Sequence, residues 1–327
     1  MLAVAVAVGA ALCYGLASAL QQHAAARAPT AESLRIGLLA RLVRRPLWLA
    51  GGAADLAGFA LQFAALSRGG LVVVQPILVL SLLFALPIGA RLGASRDREE
   101  RARIAAPVPA ARPGASGPRA AAELEREPPV PASPASPTSR WRNLVAGVAL
   151  CAGVAVFLAA AAPSNGAGEL PLAEWLAVLG GCGALVLVLA LGGRRVGGRL
   201  GPVLLSTAAG ILYALAAALT KATGTLLGEG LLRAIESWEL VALVVVGASA
   251  LLVSQSAFQA GSLELSLPSM TVANPIVSIL LGTLAFGEHL ATAPLAVVGE
   301  VLGLAALSVG VFALARSPAA RVATHGG

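Results

Sequence analysis

The chain has 327 residues, of which 57% are hydrophobic and 12% charged, with a mean hydropathy of +0.84. A soluble domain carries about a quarter charged residues. A cytoplasmic enzyme domain, a disordered regulator and a fibrous repeat are therefore excluded, and several membrane spans are implied. The net charge of +7 comes from basic residues lying between apolar blocks, without interleaved aromatics. That pattern argues for membrane topology and a lipid neighbour, not nucleic acid.

Nine apolar segments are predicted to span, at about 3–25, 47–66, 70–91, 143–162, 172–192, 201–220, 238–258, 267–287 and 293–314. Each has about twenty residues, enough to cross the hydrocarbon core at 1.5 Å per residue. They are apolar all round and do not alternate, so helices are expected and barrel strands are not. Residues 2–20 lack a basic start and read as an uncleaved first span, not a signal peptide. Cys13, Cys151 and Cys182 sit inside apolar runs without metal-site spacing.

Leu66–Gly70 and Gly287–Thr292 are short enough for tight antiparallel hairpins. Residues 95–140 hold most of the acids, many arginines and a Pro/Ala/Ser run, and read as a disordered insertion. Gly224–Glu236 reads as a small surface helix. All 23 basic residues except Arg68, Lys221 and Arg233 fall in four places: the segment after span one, the long loop, the segment after span five, and the tail. The positive-inside rule then puts the N-terminus outside and the C-terminus, with the insertion, in the cytoplasm of a cell-membrane protein.

One constant offset aligns Tyr14 with Tyr213, Phe59 with Phe258, Leu66-Ser67 with Leu265-Ser266, and Val74-Gln75-Pro76-Ile77 with Ala273-Asn274-Pro275-Ile276. The expected fold is therefore an all-α integral membrane protein of nine transmembrane helices in an inverted 4+1+4 repeat. Residues 1–162 form the first repeat with its insertion, 172–192 a linking span, 201–314 the second repeat, and 315–327 a cytoplasmic tail. Inverted repeats are a recurring basis for alternating access, with cargo near the midplane.

The tyrosine-bearing first and sixth spans, Pro76 and Pro275, and Phe286-Gly287-Glu288 resemble the drug/metabolite transporter (DMT, EamA-like) superfamily. The Pro46-Leu47-Trp48 opening of span two is similar to that of its nine-span NIPA-like magnesium-transporter branch. That branch usually has a Gly-Glu pair and a nearby Asn deeper in this span, where Asp55 and Gln62 stand here. The resemblance implies a secondary transporter without a cofactor, with transported Mg²⁺ as one cargo.

Asp55 and Glu300 are carboxylates deep in spans two and nine. Such groups cost several kcal/mol unless paired or hydrated. They are candidates for cation binding or proton relay, or for packing through local hydrogen bonds, and are the only weak metal-ligand candidates. Pro76 and Pro275 free backbone carbonyls beside Gln75 and Asn274, suggesting paired bends on the substrate path. Tyr14, Tyr213 and Gln62 are further transport-path candidates. Gln22 and Lys221 align near span ends, where Lys221 either snorkels outward or neutralises an anion or a buried carboxylate. Glu288, near the outer interface, fits a cap, a salt bridge or a gate. Gly299 and Gly303 have the small-xxx-small spacing of close helix packing, within the chain or in a homodimer.

The leading expectation is a transporter of magnesium or another cation. An exporter of small organic metabolites or drugs is the alternative within transport. A structural or lipid-interacting membrane protein is the alternative outside it. An intramembrane enzyme is disfavoured, since His23, His289 and His325 are poorly spaced for a catalytic set.

Overall fold

A computed structural model describes residues 2–25, 45–85, 87–89, 91–92, 137–163, 170–196, 198–260 and 263–316. The predicted insertion at 95–140, up to residue 136, and nearly all of the tail lie outside them. Within them the chain is entirely helical: α1 Leu2–Ala25, α2 Pro46–Leu66, α3 Leu71–Leu78, α4 Pro137–Ala161, α5 Leu172–Arg195, α6 Leu200–Glu229, α7 Leu231–Ile235, α8 Trp238–Ala260, α9 Leu263–Phe286 and α10 Pro294–Ala315. Eight helical stretches among the described residues are long and apolar enough to cross a membrane. The seventh expected span, at 238–258, coincides with α8, whose apolar stretch Trp238–Ser254 is shorter.

Proline sets several boundaries. Pro46 and Pro294 open α2 and α10 at the first turn, where a missing N–H breaks no helical bond. Inside α3, Pro76 offers no N–H to the Val72 carbonyl. The helix then tightens: Leu80 N bonds Ile77 O at 3.0 Å and Leu83 N bonds Leu80 O at 2.9 Å, before helical turns resume at 81–85. α9, in contrast, stays helical through both Pro268 and Pro275. The expected surface helix at 224–236 is also revised. Most of its first half continues α6, which runs to Glu229, and only Leu231–Ile235 forms a separate turn and a half.

α6 is the centre of the bundle. It packs on α5, α8 and α9, with 72% of its span buried, against 6% for α5. α1 packs on α2 and α3, α3 on α9, and α4 on α10. The buried side is built of small residues such as Ala7, Ala10, Ala208 and Ala214, so backbones approach closely. The outward side is as apolar as the core, with Leu284 and Leu295 fully presented to the surroundings. Both faces are apolar because lipid, unlike water, accepts them, which is why no amphipathic period marks these helices.

The α4–α10 contact shows what the glycine spacing does. A Cβ on Gly303 would lie 2.6 Å from the Phe157 nitrogen, and one on Gly310 2.7 Å from that of Leu150. One on Gly299 would meet Ala160 Cβ at 2.6 Å. The spacing thus serves packing within the chain.

Contacts also give the helices a common sense. Gly69, just before α3, lies against Ala3 at the start of α1. Trp175 near the start of α5, Trp238 at the start of α8 and Phe286 at the end of α9 stack edge to face, with centroids 5.8 and 6.0 Å apart. The Ala291 nitrogen, just before α10, bonds the carbonyl of Ala161 at the end of α4 at 3.0 Å. On this one face α1, α3, α5, α8 and α10 begin, while α2, α4, α6 and α9 end. α1 and α6 therefore run in opposite directions.

Candidate functional site

Two polar centres occupy the bundle. The first lies halfway along α1, α2 and α6. On α1, Tyr14 and Gln21 are two helical turns apart and share a face; on α2 the same spacing separates Asp55 from Gln62. The helices form an antiparallel hairpin pair, so the residues meet crosswise. The Tyr14 hydroxyl donates to Gln62 Oε1 at 2.5 Å, and Gln21 Nε2 donates to Asp55 Oδ2 at 2.6 Å. From α6, Tyr213 stands 3.3 Å from Ser254 Oγ on α8. The first sequence half thus supplies two bonded pairs inside the bundle, Tyr14–Gln62 and Gln21–Asp55, and the second half one, Tyr213–Ser254.

Among the described residues the Asp55 carboxylate has no cationic partner, and the neutral Gln21 amide is its one hydrogen-bond donor. A lone carboxylate at this depth is held only at considerable cost. The same position therefore favours any cation, or proton, that reaches it.

The second centre lies at the face described above. α9 closes at Gly287, whose φ of +60° is the left-handed cap conformation that glycine adopts without strain. This turn sends Glu288 back into the bundle, where its own nitrogen bonds the Gly282 carbonyl at 3.0 Å. The side chain is fully buried and accepts from Leu71 N at 2.8 Å and Val72 N at 2.9 Å. These are the first N–H groups of α3, which have no partner within their own helix. The positive end of the helix favours the carboxylate further.

Lys221 on α6 completes the set. Its Nζ lies 2.5 Å from Glu288 Oε1 and 4.5 Å from the centre of the Phe286 ring. A Cβ on Gly70 or Gly282 would collide with the carboxylate, so both positions leave it room. Of the roles open to Lys221, the structure shows neutralisation of a buried carboxylate and no reach for the surface. Glu288 is at once a cap and a salt bridge.

The other expected residues are scattered. Gln75, beside Pro76, is buried with neither amide atom partnered among the described residues. Asn274 Oδ1 accepts from Ser278 Oγ at 3.2 Å, one turn along α9. Glu300 sits on α10, the helix seated on α4, with its Oε1 buried and unpartnered. Among the described residues it shares no hydrogen bond or ion pair with Asp55. Gln22 lies on α1, and its side chain is outside the described residues. Gathered metal ligands, three or more of His, Cys, Asp and Glu, do not occur among the described residues.

Gln21 was missed as a candidate, although it stands two turns from Tyr14 just as Gln62 stands from Asp55. The α3 amides were missed because backbone donors leave no mark in a sequence.

These features define a multi-pass, all-α integral membrane protein with polar groups gathered inside its bundle. The chain belongs to the same family as an uncharacterized protein of Corynebacterium glutamicum. The two are 30% identical over 319 residues, which covers 97% of this chain and 96% of the relative. No family model matches the chain, and no solved structure matches it.

Proposed function

We propose that this protein is a secondary transporter of the drug/metabolite transporter type, whose halves expose a central site alternately to the two sides of a cell membrane. The observation that carries the reading is the set of polar pairs held inside the bundle by both halves, Tyr14–Gln62 and Gln21–Asp55 from the first and Tyr213–Ser254 from the second. The helix pairings support an inverted repeat. α1–α2 has its counterpart in α6–α8, and α1–α3 in α6–α9, while α3–α9 and α4–α10 each join equivalent helices of the two halves. The opposed directions of α1 and α6 agree with it. With α8 counted as a span, nine crossings separate the termini, and the basic residues on the C-terminal side favour an outer N-terminus, which makes the Glu288 face the outer one.

The cargo this site suits best is a cation, or the cationic group of a small solute, neutralised by Asp55. Magnesium would meet one carboxylate at Asp55 and keep most of its water. A small organic metabolite or drug would use the two phenol rings, whose faces attract cations and whose hydroxyls bond polar groups. Transport of either kind needs no covalent step.

The test is flux into liposomes holding the purified protein. Magnesium, other cations and a panel of organic solutes are compared, with and without a proton gradient. Asp55→Asn should reduce flux of the transported cargo by at least about tenfold, the effect of losing about 1.4 kcal/mol of binding. Unchanged flux of every cargo by Asp55→Asn overturns the site. Flux of an organic solute without magnesium flux removes the ion as cargo.

A further inference from the structure

We infer that Glu288 and Lys221 form a latch, which closes the Asp55 cluster from the Glu288 face and parts when the protein opens to that side. The inference rests on the transporter reading and adds the element that separates its two states.

The geometry joins the halves through one carboxylate. Glu288 and Lys221 belong to the second half, while Leu71 and Val72, whose N–H groups hold the other side of the carboxylate, belong to the first. No side chain of the first half is needed for the grip. Moving α3 away from α9 on this face therefore breaks both backbone bonds together.

Chemistry makes the contact two-valued. A buried carboxylate is tolerable only with its partners in place, and a partly withdrawn one has lost the α3 amides before water can replace them. Fully withdrawn, it is hydrated, as are the ammonium and the freed amides, so the separated state is compensated as well. Apolar side chains of the same volume hold a static interface at least as firmly as a buried ion pair. An ion pair on a helix start has an advantage where the contact must open into water and close again. Such bistable contacts are how packed elements switch between discrete arrangements.

The surroundings fit a moving contact. Gly70 and Gly282 leave the carboxylate room to seat, since a Cβ at either would collide with it. The Phe286 ring holds the ammonium from α9, so Lys221 and Glu288 remain together while α3 departs.

The test is side-specific thiol labelling without any cargo, in a chain whose Cys13, Cys151 and Cys182 are replaced by alanine. Thr223→Cys reports on the Glu288 face, and Ser254→Cys, buried beside Tyr213 toward the opposite ends of the helices, reports on the other. A membrane-impermeant maleimide is added to intact cells and to inside-out vesicles. Glu288→Gln should raise labelling of Thr223→Cys from the Glu288 face by about tenfold and lower that of Ser254→Cys from the opposite face. Lys221→Gln should do the same and serves if the first variant does not fold.

Reciprocal change is what a shift between two states produces. If both rates rise together, the pair is a plain structural staple and the latch is refuted; if neither changes, it is refuted as well. Because no cargo is present, either result leaves the Asp55→Asn flux assay to stand or fall separately.

Discussion

Lys221 and Glu288 allow the strength of the buried pair to be worked out and tested. Lys221→Met removes the ammonium but leaves Glu288 its two amide donors on α3, so the loss should sit at the low end for a broken buried pair, about 3 kcal/mol. Glu288→Met strands the ammonium and both amides, and should cost about 5 kcal/mol, the high end. Once the ammonium is gone, removing Glu288 strands only the amides. The double variant no longer strands an ammonium, so it should lose less than Glu288→Met alone and well under the sum of the two. Reversible unfolding in mixed micelles, followed by tryptophan fluorescence, measures all four corners; Trp175 and Trp238 stack beside the pair and report its region. Single-variant losses that add within about 0.5 kcal/mol would refute the reasoning, because independent sites add to that tolerance.

Three further outcomes follow from packing. Gly303→Val should destabilise by about 1–3 kcal/mol in the same assay, since its side chain would press on the Phe157 backbone. Gly180→Ala, in open space on α5, should instead stabilise by up to about 1 kcal/mol through helix propensity. Gln75→Leu should stabilise by about 1–3 kcal/mol, because it removes a buried amide without partners; flux measured alongside shows whether that amide also serves the cargo.

Much of the fold was legible because membrane spans are written in bulk composition and in proline. Pro46, Leu172 and Pro294 open their helices within a residue of the expected limits. The small residues that marked close packing, Gly299 and Gly303, pack closely on α4. What escaped was non-local. α6 runs past Lys221 because a buried acid neutralises that lysine, and the acid lies 67 residues away. The break in α3 falls after Pro76, whereas α9 absorbs Pro275 within a continuous helix, so equivalent prolines gave unlike backbones. Asp55 and Glu300 stand at similar depth in the sequence, but depth does not fix azimuth: α10 packs on α4, and α2 on α1 and α6.

α5 is held near its ends and leans on the core by one side only between them. Trp175 anchors it to the aromatic stack, Gly193 lies against the Gly201 carbonyl, and Val178, Leu179 and Cys182 pack on the core, while side chains placed at Gly180, Gly181 or Gly183 would meet no neighbour. Such a stave rides in the acyl chains with little protein to brace it. Bilayer thickness and acyl-chain length therefore act on its tilt sooner than on that of the braced helices.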